Sequence, residues 1–335
     1  MTLSSPGFPE RMRAAYIDRL GPAEAIRHGT VPVPTAGPTD VVIRVAAVSV
    51  NPVDTFVRSG AFATPMSFPF VIGRDAVGTV AAAGSSGLDV RIGQAVWTNS
   101  LGHAGRPGAA AEYAVVPVDR LYPLPDGVDP VQAVAVVHPA ATAYLALFTH
   151  ARLQPGETVY VAGAAGHVGS AATLLAARAG ARVLASASAA DLGRVRELGA
   201  QLAFDYRADD LTARLRAAAP HGVDVHVDTS GRNDLEAALA VLADRGRVVL
   251  LAGMASRPVL PAGQLYTHDQ SVLGFVISKA TSAELAAAAA VLNPLMADGS
   301  LRAGCIEELP LGKAADAHAR LESGRARGVR LVLRP

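Results

Sequence analysis

Two short stretches carry side chains and backbone freedom suited to chemistry. In Asn51-Pro-Val-Asp-Thr-Phe-Val-Arg-Ser-Gly60 an amide, a carboxylate and a hydroxyl follow a run of strand-like residues. Asn-Pro commonly opens a turn in which the Asn bonds its own backbone, yet the same amide can donate to a ligand without titrating. Asp54 reads as a structural acceptor of backbone amides, because an acid beside a developing oxyanion would oppose it. Arg58 reads as the partner of a nearby acid.

The second stretch is Gly163-Ala-Ala-Gly-His-Val-Gly169, between a strand pattern and a helix pattern. Its glycines let the backbone approach a pyrophosphate, and the helix behind them points unpaired amides at the phosphates. Ala165, Gly166, His167, Val168 and Gly169 are therefore candidate coenzyme contacts. The spacing departs from GxGxxG, since Ala164 and Ala165 separate the first two glycines. After the next strand pattern stands Ser186-Ala-Ser188, where an NAD site carries an acid for the ribose hydroxyls. With no carboxylate there, and with Arg194 and Tyr206 as donors, the pattern points to NADPH, although Asp191 works against it. One charge-assisted hydrogen bond of ~1.5 to 3 kcal/mol would favour NADPH by about ten- to a hundredfold.

The elements that must hold these residues fall into two styles. From Arg13 to about Pro130 short apolar strands are broken by Gly, Pro and Asp, as in a β-rich, barrel-like unit. Beyond Pro130 strands alternate with helices: 158–162, helix 170–179, 182–186, helix 191–198, 224–228, helix 235–243 and 247–251. That alternation predicts a parallel sheet with helices on both faces. After Pro261 come a strand at 271–277, helices at 282–297 and 312–323, and a strand at 329–333, a tail that can rejoin the first half.

The whole chain narrows the alternatives. Its 335 residues suffice for two domains of ~100 to 200 residues each. Half are hydrophobic and the net charge is +1, with basic residues scattered, so neither nucleic acid nor an anionic membrane is an expected partner. Cys305 is the sole cysteine, which rules out a disulfide framework and multi-cysteine zinc or iron–sulfur sites and suits a reducing cytoplasm. Neither a secretion signal nor a membrane span of ~18 apolar residues is expected.

Taken together, the motifs resemble the medium-chain dehydrogenase/reductase superfamily, and within it the zinc-free quinone oxidoreductases related to zeta-crystallin. The resemblance rests on Asn51 to Gly60, Gly73-Arg-Asp-Ala-Val-Gly-Thr-Val80, Ala111-Glu-Tyr-Ala114, Thr142-Ala-Tyr144 and the glycine turn. It implies an α/β chain: a GroES-like β-rich catalytic domain at 1–130 plus 262–335, with a doubly wound Rossmann domain inserted at 131–261. It also implies NADPH dependence, a small-molecule acceptor and a homodimer. The nicotinamide end is expected in a cleft between the domains near Asn51 and Thr142, with Leu251, Ala252, Gly253, Phe275, Val276 and Ile277 along its path. Hydride would leave carbon 4, Asn51 would contact a carbonyl oxygen or the carboxamide, and Thr142 the nicotinamide ribose or amide.

Departures from the pattern carry as much information. Zinc alcohol dehydrogenases have Gly-His-Glu where this chain has Gly73-Arg74-Asp75, and their four-cysteine lobe is missing, so no metal is expected. His103, His138 and His150 read as structural or exposed. No tyrosine is followed four residues on by lysine, and neither a G-x-S-x-G elbow nor a Walker loop is present. Relatives often present tyrosine where Phe56 and Phe62 stand, which removes a general acid worth ~10² to 10⁴ in rate. Hydride addition to a quinone leaves a phenolate-like anion with a conjugate acid near pKa ~10, which water protonates, whereas an enone leaves a far more basic enolate. The expected activity is hydride transfer from NADPH to a quinone or similarly activated carbonyl, with Phe56 and Phe62 in the acceptor pocket. The alternatives are an enone or enoyl-thioester reductase of secondary metabolism, and an NADPH-binding structural or interaction protein with little catalysis.

Overall fold

Short apolar strands, several of them stopped by Gly, Pro or Asp, build the first of two units in a computed structural model that describes residues 9–335. The elements up to the glycine turn's strand are β1 (Arg11–Ile17), β2 (Arg27–Pro32), β3 (Asp40–Ser49), α1 (Pro52–Ser59), β4 (Phe70–Val71), β5 (Asp75–Ala83), β6 (Ala95–Thr98), β7 (Tyr113–Pro117), β8 (Tyr122–Pro123) and α2 (Pro130–Tyr144). There follow β9 (Thr158–Ala162), α3 (His167–Arg178), β10 (Arg182–Ala187), α4 (Leu192–Glu197), β11 (Leu202–Asp205), α5 (Leu211–Ala218), β12 (Val223–Asp228), α6 (Leu235–Val241), β13 (Leu242–Leu250), α7 (Ala262–Thr267) and β14 (Ser271–Gly274). The chain ends with α8 (Ser282–Ala297), β15 (Ile306–Pro310), α9 (Ala314–Glu322) and β16 (Arg330–Arg334). One unit reaches to His138 and resumes at Leu285; the other runs from Pro139 to Glu284.

In the first unit a seven-stranded sheet runs β15-β16-β3-β5-β6-β8, with β7 also on β3, beside a small sheet β2-β1-β4. β3 is the centre because its alternating apolar residues Val41, Ile43, Val45 and Ala47 are buried against both neighbours. Its register sets Ser49 opposite Asp75 on β5 and opposite Val332 on β16. Strand residues two apart share a face, so Arg330 lies on the same side of β16 as Val332. Three distant parts of the chain thus meet at the end of β3.

The second unit is the doubly wound sheet that the alternation predicts, six parallel strands in the order β11-β10-β9-β12-β13-β14. The order reverses at β9, where ligands of such sheets bind at the carboxyl ends of the strands. Tyr160, Leu184, Leu239 and Val248 fill one of its faces.

Five points differ from the expectations. Residues 52–59 form a helix rather than a loop: Pro52 is tolerated at the first helical position, Asn51 precedes it in extended conformation, and Gly60 ends it with φ +84°. β11 was not foreseen, its four residues being too short to show a period. The return to the first unit comes later than 262, because Val248, Val249 and Leu250 pair with Val272, Leu273 and Gly274 and keep β14 in the parallel sheet. The first unit likewise extends past 130 to His138. Finally, Pro130–His150 forms a 21-residue helical stretch long and apolar enough to span a membrane; 83% of its apolar window is buried within the fold.

Candidate functional site

Asn51, the first polar residue after β3, is 1% exposed and its side chain is fully engaged. Its Nδ2 donates to Asp75 Oδ2 at 2.5 Å and to Ser49 Oγ at 3.2 Å, and its Oδ1 accepts from Arg330 Nη2 at 3.0 Å. The amide therefore organises a buried cluster and is not aimed outward as the expected donor to a carbonyl. Ser49 Oγ also donates to Asp75 Oδ2 at 2.7 Å, and His138 Nδ1 lies 3.0 Å from Asp75 Oδ1. One carboxylate is gripped from three sides by groups on β3, on the start of α1 and on α2.

Asp54 occupies the third helical position and accepts the Asn51 backbone N–H at 2.8 Å, the acidic half of a capping box. Its structural role is as expected, but its ionisation is unusual. Burial and the neighbouring Asp75 push its pKa up to about 6, against the Asn51 amide, Arg74 and His138. Asp75 goes the other way. Burial raises it, but His138, Ser49 and Arg330 outweigh that and hold the carboxyl below its ordinary value. Two carboxyls in one cluster are thus driven apart, the arrangement that separates an ionised group from one able to carry a proton.

The glycine turn is shaped for phosphate. Gly163 has φ +77°, and an added Cβ would stand 2.8 Å from Thr229 Oγ1. At Gly169 an added Cβ would run into the Gly163 carbonyl, so glycine there lets α3 pack onto the turn. His167, Val168 and Gly169 form the first turn of α3, the end of a helix whose dipole favours a phosphate. Gly166 N–H bonds Gly163 O at 2.9 Å and Ala164 N–H bonds Ser186 O at 2.9 Å, which fixes the turn on β10. These features suit a dinucleotide's pyrophosphate, so the residues fit a nicotinamide coenzyme.

Beyond the turn the candidates sort themselves. Arg194 Nη2 donates to Ala165 O at 2.6 Å and its Nη1 lies 3.4 Å from Ser170 Oγ, which anchors an exposed guanidinium over the turn. Ser186 is not available to a ribose: it is buried and accepts the Tyr160 O–H at 2.8 Å. Ser188 Oγ donates to Asp191 Oδ2 at 2.6 Å, and Asp191 also faces Arg194 at 3.4 Å. Tyr206 follows β11, its N–H on Ala187 O, with the guanidinium of Arg207 5.1 Å and that of Arg232 5.7 Å from its ring centre. Nothing local in the sequence marks Arg207 or Arg232, since the segments after β11 and β12 meet at Tyr206 only in the folded chain.

Leu251, Ala252 and Gly253 follow β13; Ala252 O accepts from Asn233 Nδ2 at 3.0 Å and Gly253 takes φ +79°. Phe275 and Val276 are half-buried and Ile277 is buried after β14, with the Phe275 ring stacked on His150 at 4.3 Å. Thr142 is buried on α2. In the first unit Phe56 is half-buried on α1, and Phe62 stacks on His103 with ring centres 5.5 Å apart. Neither brings a hydroxyl.

A metal does not fit this cluster. Among the described residues no three His, Cys, Asp or Glu side chains form a ligand set. The buried polar group around Asp75 instead includes two guanidinium groups, Arg74 and Arg330, each nearly fully buried. His138, expected to be structural or exposed, is buried against a partner 63 residues away, and nothing in the local sequence signals the pairing.

Comparison with known proteins agrees with this layout. The alcohol dehydrogenase GroES-like domain model matches residues 37–126, and the zinc-binding dehydrogenase model matches residues 168–293. A quinone oxidoreductase of Lama guanicoe is 32% identical over 328 residues, spanning 96% of this chain and 98% of that protein. Among solved structures, mycobacterial Rv1454c in complex with NADPH is 30% identical with a TM-score of 0.81, covering 97% of this chain and 100% of that one. A structure described as an NAD-dependent alcohol dehydrogenase is 29% identical with a TM-score of 0.86, with the same coverage.

Proposed function

Because the chain belongs to the quinone oxidoreductase family of the medium-chain dehydrogenase/reductase superfamily, we propose that it passes hydride from NADPH to a quinone or similarly activated carbonyl acceptor without zinc. It is an oxidoreductase that uses a nicotinamide coenzyme and a small-molecule substrate.

The observation that carries the choice of NADPH is the set of three guanidinium groups, Arg194, Arg207 and Arg232, gathered around the turn and Tyr206. A 2′-phosphate is a dianion for much of the neutral range, and arginine is the side chain best matched to it. Asp191 is the single acid at the end of β10, and it is partnered by Ser188 and Arg194. The bound coenzyme supplies the hydride from its carbon 4. The chain's own part is to hold the pyrophosphate on the amides of α3, to bind the 2′-phosphate through these arginines, and to surround the acceptor with the Phe56 and Phe62 rings.

The preference for a quinone follows from those rings. Neither can protonate the product, and the product of quinone reduction needs the least help, since its conjugate acid lies near pKa ~10. The reading without zinc draws support from the two nearly buried guanidinium groups, Arg74 and Arg330, in the cluster around Asp75.

Steady-state oxidation of NADPH and NADH with 1,4-naphthoquinone, a simple enone and an enoyl thioester tests the reading. The expected result is fastest turnover with the quinone, NADPH ahead of NADH by about ten- to a hundredfold, and full activity after exhaustive chelation. No quinone turnover above a protein-free control defeats the choice of acceptor. Activity lost on chelation and restored by zinc defeats the zinc-free mechanism.

A further inference from the structure

The acid beyond β10 does not do what its place in the chain suggests. Asp191 ends a single helical turn, Ala189–Asp191, and stands immediately before α4. An acid in that place ordinarily accepts from the first amides of the helix, yet the Asp191 side chain caps none of them. Its Oδ2 takes the Ser188 O–H at 2.6 Å instead, and its Oδ1 lies 3.4 Å from Arg194 Nη2. The same Nη2 donates to Ala165 O at 2.6 Å, within the glycine turn. One guanidinium thus stands between the acid and the turn, and every residue concerned belongs to the unit from Pro139 to Glu284.

Positive charge gathers at the same end of β10. The Tyr206 N–H bonds Ala187 O, the neighbour of Ser188, and the Tyr206 ring carries Arg207 and Arg232 against it. A coenzyme with a 2′-phosphate seeks such donors, whereas a ribose with a free 2′-hydroxyl seeks an acceptor. Both kinds of group stand here within one side chain of each other. The Asp191–Arg194 pair is partly exposed on both sides, and ion pairs in water are weak. A dianion can therefore draw Arg194 away, but the carboxylate left behind opposes it, since like charges a few ångströms apart repel even in solvent.

We propose that Asp191 is a specificity-determining residue that limits the preference for NADPH: it occupies Ser188 and Arg194, repels the 2′-phosphate, and offers an acceptor to the ribose hydroxyls of NADH. The role rests on the coenzyme reading above. A preference of about ten- to a hundredfold is then what three arginines achieve against one acid, and not the most that the site can give. The acid keeps NADH usable and leaves the strictness of the choice to a single charge.

The test uses the full chain with Asp191→Asn, which keeps an oxygen for the Ser188 hydroxyl and loses the charge, and Asp191→Glu, which keeps the charge. Binding of adenosine 2′,5′-bisphosphate and of 5′-AMP is measured by titration calorimetry at neutral pH, so that no turnover is needed. The KM values for NADPH and NADH are measured beside it. Expected for Asp191→Asn is an affinity ratio shifted about tenfold further toward the bisphosphate, with the KM ratio moving the same way. Expected for Asp191→Glu is a ratio within about threefold of the parent's. A shift below about threefold in Asp191→Asn overturns the proposal while leaving the preference for NADPH intact. An equal shift in both variants overturns it too, because local shape and not charge would then be responsible. A parent that binds 5′-AMP as tightly as the bisphosphate defeats the choice of NADPH, and Asp191→Asn still decides the proposal by the same threshold. Should Asp191→Asn not fold, Asp191→Ser takes its place and is judged in the same way.

Discussion

Asp54 and Asp75 face the two sides of one amide: Asn51 Nδ2 lies 3.5 Å from Asp54 Oδ2 and 2.5 Å from Asp75 Oδ2. Two carboxylates so placed cannot both ionise cheaply, and the shorter contact goes to the one that keeps its charge.

Asp54 is therefore a source of pH-dependent stability. With a folded pKa of about 6 against an ordinary 3.8, the folded protein holds a proton that the unfolded chain releases between those values. Stability falls as pH rises through that window and stays lower above it. Asp54→Asn removes the effect and keeps an acceptor for the Asn51 N–H. Urea unfolding from pH 4 to 7 should show the variant gaining on the parent by up to about 3 kcal/mol. Parallel curves would contradict the assignment. Asp75, held low, loses its contribution only at more acid pH and cancels in the comparison.

Arg330 supplies the positive charge that faces Asp75 and hydrogen-bonds Asn51. Arg330→Met leaves a buried carboxylate less compensated and an amide oxygen without its donor. A loss of about 3 to 5 kcal/mol is expected in chemical unfolding. A loss under 1 kcal/mol would mean that the cluster relaxes around the gap.

Arg194 and Arg232 are expected to act on one coenzyme and not the other. Arg194→Ala and Arg232→Ala should each raise the KM for NADPH about tenfold or more, with the KM for NADH changed less than twofold. Equal effects on both coenzymes would assign these arginines to the pyrophosphate or the adenine instead.

Gly163→Ala tests the phosphate turn. The left-handed backbone costs an alanine about 1 to 2 kcal/mol, and the added methyl meets Thr229 Oγ1 at 2.8 Å. A lowered Tm together with weaker binding of both coenzymes is the expected pair of results. Loss of stability with intact coenzyme affinity would separate the turn from the site.

The parallel sheet was legible because its strands are apolar runs at regular intervals, and the phosphate turn because Gly163 and Gly169 bracket a strand-to-helix junction. α1 was missed although Asn51, Pro52 and Asp54 spell a helix start, because Asn-Pro equally spells a turn. β14 was assigned to the wrong unit, since its four residues reveal a neighbour only through pairing with β13. The polar cluster lay further from view. Ser49, Asp75 and Arg330 are joined by the register of β3 with β5 and β16, His138 comes to them from α2, and no local pattern encodes a contact between residues 51 and 330.

The closing of that cluster by β16 also dictates an order of events during synthesis. The unit from Pro139 to Glu284 is contiguous and has all six of its strands on hand before any residue of β16 exists. The unit around it emerges first yet is completed last, because Val332 and Leu333 must pair with Ser49 and Val48 across nearly the whole chain. Until then Asp75 and Asn51 lack Arg330, and β3 shows an unpaired edge at its end. The nascent protein is thus most exposed to aggregation through its earliest residues, and a chaperone that shields the end of β3 would serve it best.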